Sequence, residues 1–470
     1  MTGRSPMAVA WSTDGMTVDY RSPLELGLRL GDYAAVHVDG DSEPRLAQLL
    51  SQRSVERDGR IWVEGSGQLL GPGGGGPFDR SALTAARNDL VRGLLETGRT
   101  GLELGTLQRM PELPAVIDAK GFNRHTFLCG QSGSGKTYAL GGLLEQLILH
   151  TRLPLLVLDP NGDHVNLGRP RKDVDPDLAA PYASAAADVR VLQADARDGA
   201  EPLRIRFKDL GVAGAAALLQ LDPIGERQEY NALIHALQAA TDEGFASVEA
   251  VMDAFRASGD AVLDQIRMRA ENLGVDRMAA WAGLSDHPAR AIGDVWHRDR
   301  PRALVADTSA FEQRRERIMV AVAVLEQLWE SRHDRRPLLL VVDEAHDVCP
   351  SDPTDPLQQL AVELFTRIAG EGRKYGIHLL LASQRPDKLP DNVLSQCDNL
   401  LLMRVNSAGD RAALANRFAF VPPELVELSG TFGLGETLRA GKISPNPQLA
   451  RTGSRLTPEG GADIPTDWAG

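Results

Sequence analysis

The segment "GQSGSGKT", Gly130 to Thr137, fits the pattern G-x-x-x-x-G-K-[ST] at every fixed position. Glycines at these places let successive backbone N–H groups turn inward around phosphate oxygens. A lysine at the seventh position reaches the terminal phosphates of a nucleotide, and a hydroxyl at the eighth is offered to Mg²⁺. Gly130, Gln131, Ser132, Gly133, Ser134, Gly135, Lys136 and Thr137, with Tyr138 directly after them, are therefore read as binding the triphosphate of ATP, and Lys136 also as catalytic. The context agrees. The apolar "HTFLCG" precedes the loop as a strand and "TYALGGLLEQLILH" follows as a helix. Only seven of the 51 basic residues are lysines, which makes Lys136 at this place hard to ascribe to chance.

Outward from the loop, short apolar segments alternate with helical ones. "LPLLVLD", "DVRVLQ", "RALVADTS", "PLLLVVDE", "GIHLLLAS" and "DNLLLMRV" each read as a buried strand bounded by turn formers. The fold class expected is α/β: a P-loop NTPase of RecA-like type with a mainly parallel sheet. Between about 210 and 295 the pattern is almost wholly helical and reads as an insertion. Ahead of the motor, "YAAVHVDG" and "SVERDGRIWVEG" look like short strands, with Asp58-Gly59 as a hairpin turn. A small N-terminal β-barrel over residues 1–70 is expected, followed by a flexible Gly/Pro linker at 71–80, "GPGGGGPF". Leu83, Ala86, Leu90, Val91, Leu94 and Leu95 then recur at helical spacing and open a motor domain over 81–441. Residues 442–470 form a tail that is Pro- and Gly-rich from 452 and is read as bracing a neighbouring subunit or as disordered.

"LLLVVDEAH" supplies a second half of the chemistry. Asp343, after an apolar strand, is placed to hold magnesium, and Glu344 beside it to polarise an attacking water, a pairing that favours hydrolysis over phosphate transfer. In "LVLDPNGDH", Asp159 and Asp163 lie at a strand's carboxyl end, where ligands gather in open α/β sheets. The competing reading there is an Asp-Pro-Asn-Gly turn chosen for its geometry. His346 alone reads as a bystander.

The formal charge of −13 argues against a broad basic surface for nucleic acid but leaves room for a narrow basic channel. Three scattered cysteines, Cys129, Cys349 and Cys397, have no metal spacing and suit a reducing compartment. With no signal-type or membrane-length apolar run, a cytoplasmic protein that does not engage a membrane is expected.

The stretches "NRHTFLCGQSGSGKT", "VLDPNGDH", "LLLVVDEAH", "EGRKYGIHLLLASQRP" and "LSQCDNLLLMRVNSAGD", taken in order, resemble the HerA-type hexameric ATPases of the HerA and FtsK lineage of DNA-translocating motors. The resemblance covers roughly 112–441 and extends more weakly to the barrel. It implies a homo-hexameric ring, ATP and Mg²⁺ as cofactors, double-stranded DNA as the track, and a partner nuclease or defence effector. It also implies that Arg373 enters the neighbouring subunit's site, that Gln384 senses the γ-phosphate, and that Arg124, before the loop, serves the nucleotide. Where the family has His-Gly-Glu this chain has Asn161-Gly162-Asp163, a shorter second acid. A regulatory ring without DNA is the alternative. A DEAH-type helicase fits poorly, because no S-A-T or Q-x-x-R-x-G-R segment is present.

Overall fold

The computed structural model describes residues 7–71, 75–96, 100–195, 200–243, 248–281 and 291–460. The chain forms two compact units. One comprises the chain up to Phe122 with Cys129–Ala139 and Asp398–Ser454; the other comprises Asn123–Leu128, Leu140–Cys397 and the chain from Arg455.

The first unit opens with β1 (Val9–Ser12), β2 (Thr17–Pro23), β3 (Tyr33–His37), β4 (Arg45–Leu49), β5 (Arg53–Arg57), β6 (Arg60–Leu70) and β7 (Phe78–Ala85). The order β2-β1-β7-β3-β4-β6, with β6 returning to β2, closes a six-stranded antiparallel barrel. Strand β5 hangs on β6 as a hairpin whose turn residues Asp58 and Gly59 both have positive φ, 51° and 71°. Alternate residues such as Ala10, Val18, Tyr20, Val36 and Leu49 point inward and fill the barrel.

The linker expected at 71–80 is not a domain boundary. Strand β7 begins at Phe78 and pairs with both β1 and β3, so the glycine-rich stretch connects two strands of one barrel, and its residues 72–74 lie outside the described ones. Leu83, read as helical, is an inward residue of β7; the helix starts later, at Asn88–Glu96. Nor does the barrel stand apart. Asn446 donates to the Tyr33 hydroxyl at 2.8 Å and to Gln48 Oε1 at 3.2 Å, both within buried surroundings.

Among the described residues twelve further strands follow: β8 (Gly101–Leu107), β9 (Pro114–Asp118), β10 (His125–Cys129), β11 (Leu155–Asp159), β12 (Val189–Gln193), β13 (Glu201–Pro202), β14 (Ala303–Asp307), β15 (Leu338–Val342), β16 (Ile377–Ser383), β17 (Cys397–Leu402), β18 (Glu436–Gly441) and β19 (Gln448–Arg451). The first unit holds β17-β18-β19-β8-β9 in that order, antiparallel throughout. In its interior Arg439 is fully buried with no carboxylate beside it. It donates to the Leu104 and Ala115 carbonyls and to the Thr437 hydroxyl, and burial alone pulls its pKa down to about 10.

The second unit holds β13-β12-β14-β11-β15-β16-β10. Its pairs β12–β13, β12–β14, β11–β14, β11–β15 and β15–β16 are parallel. Strands β11, β14, β15 and β16 are buried along their whole length, which is why they read as unbroken apolar runs. The helices Gly211–Leu218, Arg227–Glu243, Val248–Ser258 and Ala261–Asn272 lie between β13 and β14 in sequence.

The tail expected to brace a neighbour folds onto its own chain as far as it is described. Strand β19 pairs with β18 and β8 in the first unit. Beyond it, in the second unit, Arg455 is fully buried and pairs at 3.4 Å with buried Glu145 of the helix Lys136–His150. Glu145 also accepts the N–H groups of Leu456 and Thr457 and the Thr457 hydroxyl. Gly141 makes this possible: a Cβ there would lie 2.2 Å from Arg455 Cζ. Removing one member of a buried pair leaves the other charge uncompensated, so Arg455→Met is expected to destabilise the protein by about 3 kcal/mol, read as a lower urea midpoint. An unchanged midpoint would show that the amide donors alone satisfy Glu145. Residues 461–470 lie outside the described ones.

Candidate nucleotide site

The phosphate loop belongs to the first unit and the strand-end acids to the second. In the loop, Gly133 and Gly135 adopt positive φ, 71° and 90°, and a Cβ on Gly130 would come within 2.8 Å of Met403 Cβ, so these three positions require glycine. The loop's carbonyls are engaged by protein donors: Gln131 O by the Ser134 N–H, Gly133 O by Arg404 Nη2 at 2.9 Å, and Ser134 O by the Gly435 N–H at 3.0 Å. An arriving anion therefore meets the amide side of the loop. Lys136 begins the following helix and is buried; Thr137 and Tyr138 are half-buried beside it, and Ser132 is exposed. Gln131 is committed to shaping the loop. Its N–H donates to Arg404 O and its side-chain oxygen accepts the Asn406 N–H at 2.7 Å. Arg404 and Asn406 were not singled out in the sequence, where "LLLMRVN" reads only as a strand and its exit.

In the second unit Asp159 ends β11, Asp307 ends the adjacent β14 and Asp343 follows β15, so three carboxylates gather at the carboxyl edge of one parallel sheet. Asp159 is fully buried, and its two oxygens accept four backbone N–H groups, from Asn161, Gly162, Asp163 and His164 at 2.7–3.2 Å. The turn reading prevails there: with its carboxylate filled by loop amides, Asp159 builds the loop and is not a phosphate ligand. Burial raises its pKa, opposed by His164 and its N–H and reinforced by Asp343 and Asp307. Asp163 is half-buried, and its carbonyl accepts the Gly460 N–H at 3.1 Å.

Asp343 Oδ1 accepts the Glu344 N–H at 2.8 Å. Glu344 is buried and sits at φ 43°, a left-handed conformation costing a side-chain-bearing residue about 1–3 kcal/mol and typical of functional sites. Its Oε1 accepts Gln384 Nε2 at 2.7 Å, and its Oε2 lies 3.4 Å from His346 Nδ1, which in turn is 3.1 Å from Ser383 Oγ. The structure thus joins Glu344 to Gln384, forty residues apart in sequence. It also brings His346 beside the Glu344 carboxylate, with its Nδ1 within hydrogen-bond distance of Ser383 Oγ. The sequence carried no signal for this, because an i, i+2 spacing on a single turn is not distinguishable from a strand's own period.

The residues present suit Mg²⁺. That ion takes few protein ligands beside water and phosphate oxygens. The Asp343 carboxylate and the Thr137 hydroxyl are hard oxygen donors of that kind, and among the described residues no cluster of three His, Cys, Asp or Glu suggests a softer metal.

Arg373 stands at the opposite end of β16 from Gln384, exposed on the single turn Gly372–Tyr375, which Gly376 closes at φ 85°. Beneath it His125 donates from Nε2 to the Ala369 carbonyl at 3.0 Å and accepts the Leu379 N–H on Nδ1 at 2.9 Å. Burial pushes both His125 and His378 down to about 4, and the cations of Arg373 and Arg124 add to the effect. Arg124 therefore shares the amino edge of β10 and β16 with Arg373. The five residues of β10 stand between it and the phosphate loop in sequence.

Residues 102–324 match the protein family described as "Helicase HerA, central domain". A little under half of the chain is thus similar to the HerA central domain. A DNA double-strand break repair helicase HerA of Pyrococcus furiosus is 24% identical over 422 residues, covering 78% of this chain and 71% of that protein. A probable DNA double-strand break repair helicase HerA of Methanocaldococcus jannaschii is 31% identical over 129 residues, a quarter of its length. Among solved structures, VirB4 of Thermoanaerobacter pseudethanolicus superposes with a TM-score of 0.53 at 15% identity, covering 77% of this chain and 98% of that one. The bacterial conjugative coupling protein TrwB gives 0.52 at 12%, covering 80% and 95%. At such identities the likeness shows the fold, a P-loop NTPase. The family match and the HerA relatives together support an ATPase of helicase-like class, and none of the described helices is long and apolar enough to cross a membrane.

Proposed function

We propose that this HerA-type chain forms a homo-hexameric ring in the cytoplasm that hydrolyses ATP and translocates double-stranded DNA, working with a partner nuclease or defence effector. The observation that carries the reading is the division of labour along β16. One end presents Gln384, hydrogen-bonded to the strained Glu344; the other presents the exposed Arg373. A strand with reactive groups at both ends serves two sites only if copies stand side by side.

In this mechanism the loop amides from Gly130 to Thr137 and the Lys136 ammonium hold the phosphates. Glu344, aimed by Gln384, takes a proton from the attacking water, and Gln384 registers whether the γ-phosphate is present. Arg373 of one subunit stabilises negative charge building in its neighbour's site, and Arg124 adds to the same positive edge. Thr137 and Asp343 would hold Mg²⁺, whose charge would offset that of the phosphates.

DNA contact through phosphates is sequence-tolerant and weakens with salt. Long duplex DNA is therefore expected to raise ATP turnover several-fold at low salt and to lose that effect as salt increases. Turnover indifferent to duplex DNA at low salt would instead favour a nucleotide-controlled scaffolding ring, the reading supported by the net charge of −13. Co-purification followed by a nuclease assay tests for the partner.

A further inference from the structure

His164 is used by none of the roles above, yet it lies fully buried within the acid cluster. It is fully buried, as is the Asp343 side chain, and its ring lies 3.6 Å from Asp343 Oδ2. Neither ring nitrogen has a hydrogen-bond partner within the chain, although imidazoles inside proteins nearly always have one. The ring is not there by slack. The His164 N–H is bonded to Asp159 Oδ2 at 2.7 Å, three preceding amides are bonded to the other oxygen, and Gly460 closes over the loop through the Asp163 carbonyl. The backbone bearing the imidazole is thus fixed on one side, while strand β15, hydrogen-bonded to β11 through the Asp343 N–H and the Leu158 carbonyl, fixes the carboxylate on the other. Only a small rotation of either side chain separates the present 3.6 Å from a hydrogen bond.

We propose that His164 is a positioning residue for Asp343: a ring N–H donates to Asp343 Oδ2 when the metal–nucleotide complex binds, and fixes which carboxylate edge faces the metal. Metal-ligating carboxylates are held in this way by outer partners whose removal costs 10- to 100-fold in metal affinity. The inference rests on the assignment of Asp343 to the metal, made above. Two supports of the acid can thus be told apart. Oδ1 is held by the Glu344 N–H, which no side-chain substitution removes, and Oδ2 by His164, which a substitution can remove.

The test is Mn²⁺ binding to the full-length protein with ADP, followed by electron paramagnetic resonance, a readout independent of turnover. In His164→Leu the half-saturating Mn²⁺ concentration should rise by about tenfold or more, while His164→Gln, which retains a donor, should stay within about threefold of the parent. Metal-free ADP affinity should be unchanged in both, which a merely structural role would not predict. A folded His164→Leu protein that saturates like the parent overturns the inference, and so does an equal loss of ADP affinity with and without metal. If His164→Leu does not fold, the glutamine variant decides: saturation within about threefold upholds the role, and a larger loss overturns it. Asp343→Asn separates the two layers. If it binds Mn²⁺ normally, the assignment of Asp343 is wrong; if it loses Mn²⁺ while His164→Leu does not, only the role of His164 fails.

Discussion

Glu344→Gln is expected to lower ATP turnover by about 10³-fold while leaving ATP binding within a few-fold of the parent, because a positioned general base contributes 10²–10⁴ and the amide keeps the size of the carboxylate. The substitution leaves the backbone as it is, and the new side-chain oxygen still accepts from Gln384, so the turn at φ 43° is undisturbed. Filter binding of labelled ATP, beside a phosphate-release assay, separates the two effects. Turnover within tenfold of the parent would remove Glu344 from the chemistry, and His346, 3.4 Å from it, would become the next candidate base. If instead binding and turnover fall together, the residue supports the fold of the turn and does not act on water.

The second large effect concerns Arg373. Its replacement by alanine should cost about 10³-fold or more in turnover, the usual worth of an arginine that stabilises phosphoryl charge. Being exposed on a one-turn helix, it can be removed without opening the core. The decisive measurement is complementation. Arg373→Ala subunits keep Glu344, and Glu344→Gln subunits keep Arg373, so mixing them creates intact sites wherever the first kind receives its neighbour's arginine. With random mixing in a ring of head-to-tail contacts, about a quarter of sites are complete. Recovery to that order supports an arginine acting across the interface. No recovery, in a mixture shown by differently labelled subunits to exchange, would mean that each arginine serves its own chain, and the ring reading would fail with it.

What the sequence showed plainly was whatever depends on local geometry. The phosphate loop is legible because positive φ at Gly133 and Gly135 and the close approach at Gly130 leave no choice of residue. Strands β15 and β16 are legible because burial on both faces demands unbroken apolar runs. Hidden was whatever depends on partners distant in sequence. "GPGGGGPF" has a linker's composition, and only the pairing of Phe78–Ala85 with β1 and β3 shows that the barrel continues past it. Arg124 lies six residues before the loop, yet the direction of β10 carries it to the far edge. Asp159 sits where a ligand would, but the amides that follow it claim its carboxylate. Residues 455–460 have too few apolar side chains to predict a packed tail; a buried ion pair holds them instead.

That ion pair has a consequence for biosynthesis. Glu145 and Arg455 stand 310 positions apart. At ribosomal speeds of 5–20 residues per second, the carboxylate on the helix after the phosphate loop waits roughly 15–60 s for its counter-charge to be made. Nascent chains thus carry an acid bound for a dry interior with nothing yet to neutralise it until residue 455 has been made. A product stopped short of residue 455 keeps that acid unpaired, and its weakened helix exposes it to cellular proteolysis.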